Sequence, residues 1–140
     1  MDGDLGRAVK LYRESIALHP TAEGHTFLGW TYHMQGKTEE AIEECKRAIA
    51  VDPDFGNPYN DIGAYLIDLK RLDEAIPWLE MAMQAKRYEP RHFPYYNLGR
   101  IYLFKGHLNR ARELFQKSLE IEPRYLLARQ SLDRLKHMVN

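Results

Sequence analysis

One short phrase recurs along the chain and constrains its fold more than any other feature. It reads Leu28-Gly29-Trp30-Thr31-Tyr32, then Ile62-Gly63-Ala64-Tyr65-Leu66, then Leu98-Gly99-Arg100-Ile101-Tyr102. The glycines at 29, 63 and 99 are 34 and 36 residues apart. A second phrase keeps the same beat. Ala41, Ala75 and Ala111 are likewise 34 and 36 apart, and Ala8 precedes Ala41 by 33. A fixed period near 34 residues specifies a repeat array rather than one closed globule. In such an array each unit buries its apolar face against its neighbours.

Charge and cysteine usage narrow the function classes. Lysine plus arginine balance aspartate plus glutamate at 20 each, so the global basic field of a nucleic-acid binder is absent. The charge is uneven, however. Residues 1–70 carry 7 basic against 12 acidic residues, net −5; residues 71–140 carry 13 against 8, net +5. The molecule is therefore expected to be dipolar along its length. Cys45 is the single cysteine, so no internal disulfide forms, and its helical position predicts a buried packing residue. The start at Met1 has no basic region followed by an apolar run, so no signal peptide is expected. No apolar stretch approaches the roughly 20 residues that span a bilayer. The expectation is a cytoplasmic protein, or a segment of a longer one, without membrane insertion.

Apolar residues at i, i+3, i+4 and i+7 predict eight helices, over 4–18, 22–35, 38–51, 57–69, 72–85, 94–105, 108–121 and 126–138. Gly36, Lys70 and Gly106 mark tight turns inside pairs. Pro20, Pro53, Pro90 and Pro123 follow helix ends, where the ladder cannot continue. Pro58 and Pro94 suit first turns, and Pro77 is expected to kink its helix locally. The connection Lys86–Phe93 is two residues longer than its counterpart in the preceding unit.

The succession of an aromatic, Leu-Gly-x-x-Tyr, Ala-x-x-x-Phe and Pro resembles the tetratricopeptide repeat, a helix–turn–helix unit of about 34 residues. Residues 92–125 match most fully, through Tyr95, Leu98, Gly99, Tyr102, Gly106, Ala111, Phe115 and Pro123. Residues 22–55 match through Leu28, Gly29, Tyr32, Gly36, Ala41, Ala48 and Pro53. Residues 56–91 match through Tyr59, Ile62, Gly63, Ala75, Leu79 and Ala82. Residues 3–20 resemble the second half of a unit and 126–140 a capping helix. The departures are Cys45 for an aromatic, Leu66 for Tyr and the two-residue insertion. The resemblance implies one all-α domain over 1–140, an α-solenoid of antiparallel helix pairs in a right-handed superhelix. The mid-helix glycines cost about 1 kcal/mol each against alanine, which predicts close helix approach opposite Ala41, Ala75 and Ala111.

Catalytic and metal chemistry is not expected. The histidines at 19, 25, 33, 92, 107 and 137 include no i, i+4 pair, and no cysteine accompanies them. Glu39, Glu40, Glu43 and Glu44 fall in the first turns of a helix, where the dipole favours negative charge, and are expected to be solvated. No nucleophile–base arrangement is visible, and no cofactor or metal is called for.

The resemblance instead implies a surface, because first helices of successive units line a concave groove. Helical spacing places Thr26, Trp30, His33 and Met34 on it from the first full unit, and Asn57, Asn60, Ala64 and Ile67 from the second. Phe93, Tyr96, Asn97, Arg100, Leu103 and Phe104 follow from the third, with Gln130 and Arg134 on the cap. Aromatics and arginine are enriched at binding hot spots, and asparagine can bond an extended peptide backbone. Trp30, Ile67 and Leu103 have an alternative role, packing against adjacent repeats. The expected partner is another protein, as a peptide or helix in the groove. Family members that grip the acidic tail of heat-shock chaperones use Lys, Asn and Arg at set positions. Here those positions hold Thr26, Trp30, Asp61, Phe93 and Asn97, and Asp61 would repel a carboxylate, so that partner is not expected. Nucleic acid is not expected either, since no stripe of alternating bases and aromatics runs along the chain. The rival reading is self-assembly through the first helix, with Val9, Tyr12, Ile16 and Leu18 incompletely covered. A regulatory fragment of a larger enzyme is the third.

Overall fold

Helical periodicity in the sequence becomes eight helices among the described residues. The computed structural model describes residues 3–138. Met1 and Asp2, at the start considered for a signal peptide, and Val139 and Asn140, at the end of the capping segment, lie outside the described residues. The helices are α1 (Gly3–Leu18), α2 (Ala22–Met34), α3 (Thr38–Val51), α4 (Asn57–Asp68), α5 (Leu72–Gln84), α6 (His92–Phe104), α7 (Leu108–Ile121) and α8 (Leu126–Met138). Only α6 starts more than one residue from its expected position. It begins at His92, so Pro94 still sits in the first turn, where its missing N–H costs nothing. α5 runs through Pro77 as one helix.

Three turns join α2 to α3, α4 to α5 and α6 to α7, and all close alike. Lys37 N–H donates to Tyr32 O at 2.8 Å, Arg71 to Leu66 O at 2.9 Å and His107 to Tyr102 O at 2.9 Å. This bond across five residues is the Schellman closure, which needs a left-handed residue just past the helix. Gly36 and Gly106 supply it at φ +81° and +80°. The middle turn uses Lys70 at φ +63°, a conformation that disfavours any side chain with a Cβ.

Helix pairs close on the repeat glycines. A Cβ on Gly63 would sit 2.3 Å from Leu79 Cδ2, and one on Gly99 would sit 2.5 Å from Phe115 Cε1. Gly29 is less tightly covered, by Ala41 O at 3.1 Å and Cys45 Sγ at 3.2 Å. The covering side chain is thus four residues beyond the repeat alanine in each pair. Ala41, Ala75 and Ala111 are themselves wholly buried, as is Cys45. One apolar cluster runs from Leu28 and Tyr32 through Ile62, Tyr65 and Leu66 to Leu98, Ile101 and Leu114. A further cluster joins Ala111 and Phe115 to Leu135 of α8. This continuity is what a stacked array requires.

The longer connection is a clasp rather than slack. Arg87 N–H donates to Asp54 O at 2.9 Å, and Gly56 N–H donates to Arg87 O at 3.0 Å. The Arg87 guanidinium stacks over Phe55 at 4.4 Å and pairs with Asp52 Oδ2 at 2.5 Å. Tyr88 is buried against Gly56. Arg91 Nη1 donates to Met83 O at 2.9 Å and Ala85 O at 2.7 Å, satisfying carbonyls at the end of α5 that helix geometry leaves open.

Candidate partner-binding groove

The order of contacts decides which helices face inward. α2 touches α4 and α4 touches α6, while no comparable contact joins α3 to α5 or α5 to α7. First helices are therefore closer together than second helices, and the stack curves with α2, α4 and α6 on its inner side. The sixteen residues expected on that side fall into distinct environments.

A polar ladder crosses the inner side. Asn97 Nδ2 donates to Asn60 Oδ1 at 3.0 Å, and Arg100 Nη1 donates to Asn97 Oδ1 at 3.1 Å. Asn60 and Asn97 are each only 7% exposed, so this link between α4 and α6 is structural as well as polar. Arg100 also lies over the Tyr96 ring, 5.9 Å from its centroid. Tyr96 and Phe93 belong to an aromatic cluster with His92 and Tyr125. Tyr125 meets His92 at 4.7 Å, Tyr96 at 5.2 Å and Phe93 at 5.5 Å, all edge to face. Burial, with Tyr96 nearby, pushes the Tyr125 hydroxyl up to about 12, and burial lowers the pKa of His92.

At the other end Thr26, Trp30 and Asn57 line a cavity of about 320 Å³ with Tyr12, Phe27 and Asp61. Trp30 is 50% exposed, and Met34 and Phe104 are also exposed. Thr26 is buried, its hydroxyl donating to Ala22 O at 2.7 Å. Ala64 and Leu103 are partly exposed, and Gln130 and Arg134 are exposed on α8.

Besides buried Thr26, Asn60 and Asn97, two expected groove residues pack within the fold. Ile67 is 2% exposed and belongs to the main core, near the end of α4 where the chain packs against its neighbours. His33 stacks on Tyr65 with centroids 4.4 Å apart, and its Nε2 lies 3.4 Å from Asp68 Oδ2. It thereby fastens α2 to α4. A third correction concerns the acidic helix start. Glu44 is buried, not solvated; His25 Nδ1 lies 2.6 Å from its Oε2, and Arg47 donates to its Oε1 at 2.5 Å. Glu39, Glu40 and Glu43 are exposed as expected. A cavity of about 670 Å³ lies over this pair where α1 and α3 flank α2, and residues of both charge signs line it.

Sequence reasoning gives Phe27 and Tyr125 no role, sets Tyr12 on the self-association face and His92 only among histidines without a metal pairing, and weighs Asp61 only against a carboxylate. The i, i+3 pairing of Phe27 with Trp30 was the available signal.

Eight helices stacked in register, with an inner side that mixes exposed aromatics and a polar ladder, define a helical-repeat solenoid. Residues 22–55 and 54–123 each match a profile of the tetratricopeptide repeat. The chain belongs to the tetratricopeptide-repeat family. Type IV pilus assembly protein PilF of Pseudomonas aeruginosa is 29% identical over 120 residues, 85% of this chain and 48% of PilF. A solved structure of PilF superposes with a TM-score of 0.89 at 26% identity, covering 97% of this chain and 62% of that one. BBSome complex member BBS4 of Bos taurus is 27% identical over 124 residues, 88% of this chain and 23% of BBS4. Human protein O-mannosyl-transferase TMTC2 is 34% identical over 100 residues, 69% of this chain but only 12% of the transferase. The chain thus spans less than half the length of each curated relative. The family and fold are generally those of protein-interaction scaffolds, not enzymes. Among the described residues no helix is long and apolar enough to cross a membrane.

Proposed function

We propose that this array binds a partner protein by taking a peptide or helix along its inner side. The domain is organised as a half-repeat over 3–20, repeats over 22–55, 56–91 and 92–125, and a cap over 126–140. The observation that carries the proposal is the Asn60–Asn97–Arg100 ladder, set between exposed Trp30 at one end and the Tyr96 cluster at the other. The buried amide pair holds the Arg100 guanidinium, which suits backbone carbonyls of a polypeptide, and the aromatics supply anchoring area at low entropic cost. Two relatives bear names of assembly, a pilus assembly protein and a complex member, which supports a scaffold role. The acidic tail of heat-shock chaperones is not the proposed ligand, because Asp61 stands where such a site needs a donor.

The test selects binders from a displayed peptide library on the wild-type chain. Tyr96→Ala and Arg100→Ala should each weaken the selected peptides by about 1–2 kcal/mol or more, with the helical circular dichroism unchanged. Binders that ignore both changes but lose affinity on substitution of exposed Glu80 or Lys117 would move the site to the outer helices.

One observation favours a second reading, self-association. On α1, Val9, Tyr12 and Ile16 pack against the core, whereas Leu11 is 60% and Leu18 88% exposed. Exposed apolar side chains on one helix invite association. A Leu11→Lys/Leu18→Lys chain should then lose any concentration-dependent dimer seen by sedimentation equilibrium.

A further inference from the structure

The N-terminal end of the groove has a chemistry of its own. Around the 320 Å³ cavity, three of six lining residues are aromatic: Tyr12, Phe27 and Trp30. Tyr12 and Phe27 stack with centroids 5.9 Å apart and planes 10° from parallel. Phe27 and Trp30 keep half their surface exposed. The Thr26 hydroxyl donates to Ala22 O and keeps only acceptor capacity. The polar groups that line the cavity are Thr26, the Tyr12 hydroxyl, Asn57 and the Asp61 carboxylate, and Asp61 is the one that carries charge.

Asp61 has no hydrogen bond and no ion pair among the described residues. Burial alone raises its pKa to about 7. Nothing on the two helices that frame it supplies a counter-charge: α2 and α4 contain no lysine or arginine, and the α2 histidines face Glu44 and Asp68. Arg13 of α1 donates instead to Tyr32 Oη at 2.9 Å. Asp61 is half-buried on the cavity wall, and a partly desolvated carboxylate without a cation is a favourable seat for one. No group of the surrounding helices takes that place, which leaves it open to a cation from outside.

The surroundings select what that group is. Aromatic faces attract a cation through their quadrupoles. The aliphatic stem of a long basic side chain lies comfortably along apolar rings while its head reaches a polar group. A carboxylate then accepts charge-assisted hydrogen bonds from that head. An acidic side chain would meet Asp61 repulsively, and an aliphatic one would bury it uncompensated. The volume suits one side chain, at the low end of the roughly 300–1,000 Å³ of ligand pockets. We infer that this cavity is an anchoring pocket for a lysine or arginine side chain of the partner protein. The inference rests on the proposal that the inner side binds a polypeptide.

Two measurements test it separately. The first titrates the full chain with N-acetyl-arginine methylamide and follows the indole N–H resonances of Trp30 and Trp78. The arginine derivative should shift Trp30 and leave Trp78 in place. Asp61→Asn, nearly identical in shape, should weaken that response about tenfold or more. Equal shifts from the norleucine or glutamate derivative, or an undiminished response in Asp61→Asn, would overturn the pocket. The second sequences the library binders selected on wild type and on Asp61→Asn. Enrichment of lysine or arginine on wild type, lost on the variant, supports the pocket. Groove binders sensitive to Tyr96→Ala but without basic enrichment would overturn the pocket and leave groove binding intact. An arginine response at Trp30 with no groove-binding peptides would do the reverse.

Discussion

Replacing Asp61 by asparagine should stabilise the fold at pH 8 and leave it nearly unchanged at pH 3. The folded-state pKa is about 7, raised by burial from an ordinary 3.8. Between those values the native chain keeps a proton that the unfolded chain has released. Stability therefore falls as pH rises through this window, opposite in sign to a salt-bridged carboxylate. Below 3.8 both states are protonated and no cost exists; above about 7 both are ionised and the cost is complete. About 3 units at 1.36 kcal/mol each give about 4 kcal/mol. Asparagine cannot ionise, so the stability difference between variant and wild type should grow from near zero at pH 3 to about 4 kcal/mol at pH 8. Neighbouring titratable groups do not interfere. Cys45, Tyr65 and Tyr88, which feel the Asp61 charge, are themselves held above their ordinary values by burial. The His25–Glu44 pair is common to both proteins and cancels. Urea unfolding followed by far-ultraviolet circular dichroism at unit pH steps gives the difference directly. A difference that does not vary with pH, an asparagine variant less stable at pH 8, or an Asp61 carboxyl carbon resonance titrating near 4 would refute the reasoning.

Glycine covering predicts an order among variants. Gly63→Ala and Gly99→Ala force Leu79 or Phe115 to move and should lose about 1–3 kcal/mol in urea unfolding. Gly29→Ala, with its nearest neighbours beyond 3 Å, should lose less, and the opposite order would refute the packing scheme. Lys70→Gly should gain about 1 kcal/mol by releasing a left-handed lysine, read as a raised denaturation midpoint. Glu44→Ala should cost about 1–3 kcal/mol, since it strands His25 in a buried position. Exposed Glu43→Ala is its control and should stay within about 0.5 kcal/mol of wild type.

Features governed by local rules were legible in the sequence, and those governed by register between helices were not. Helix spans follow from 3.6-residue periodicity, and turns at Gly36 and Gly106 from the rarity of positive φ in other residues. Lys70 was found only because it keeps the beat of those glycines. Glu44 illustrates the limit. Its neighbours Glu40 and Glu43 share its charge and its place in the helix, and nothing local separates the three. Only the antiparallel register of α2 against α3 puts His25, 19 residues earlier, against one of them. Ile67 fails in the opposite direction: spacing places it on the inner side of α4, but packing near the end of that helix buries it. The Lys86–Phe93 clasp was invisible because its stabilising contacts, Arg87 to Asp52 and Tyr88 to Gly56, bridge two loops more than 30 residues apart.

Asp61 joins these two lessons. Its position on α4 was readable, but its isolation was not, because isolation depends on what α1 and α2 fail to provide. The same desolvation that lowers stability above pH 4 makes the site responsive to a cation. A guanidinium or ammonium group arriving from a partner favours the charged carboxylate and so draws its pKa back toward the ordinary value. Binding near neutral pH should then release a proton, and the stability withheld by the empty pocket should reappear as affinity. A partner lacking a basic residue at that point has no such gain. The pocket would therefore discriminate between partners by the cost of leaving Asp61 unpaired, as much as by the contacts it makes.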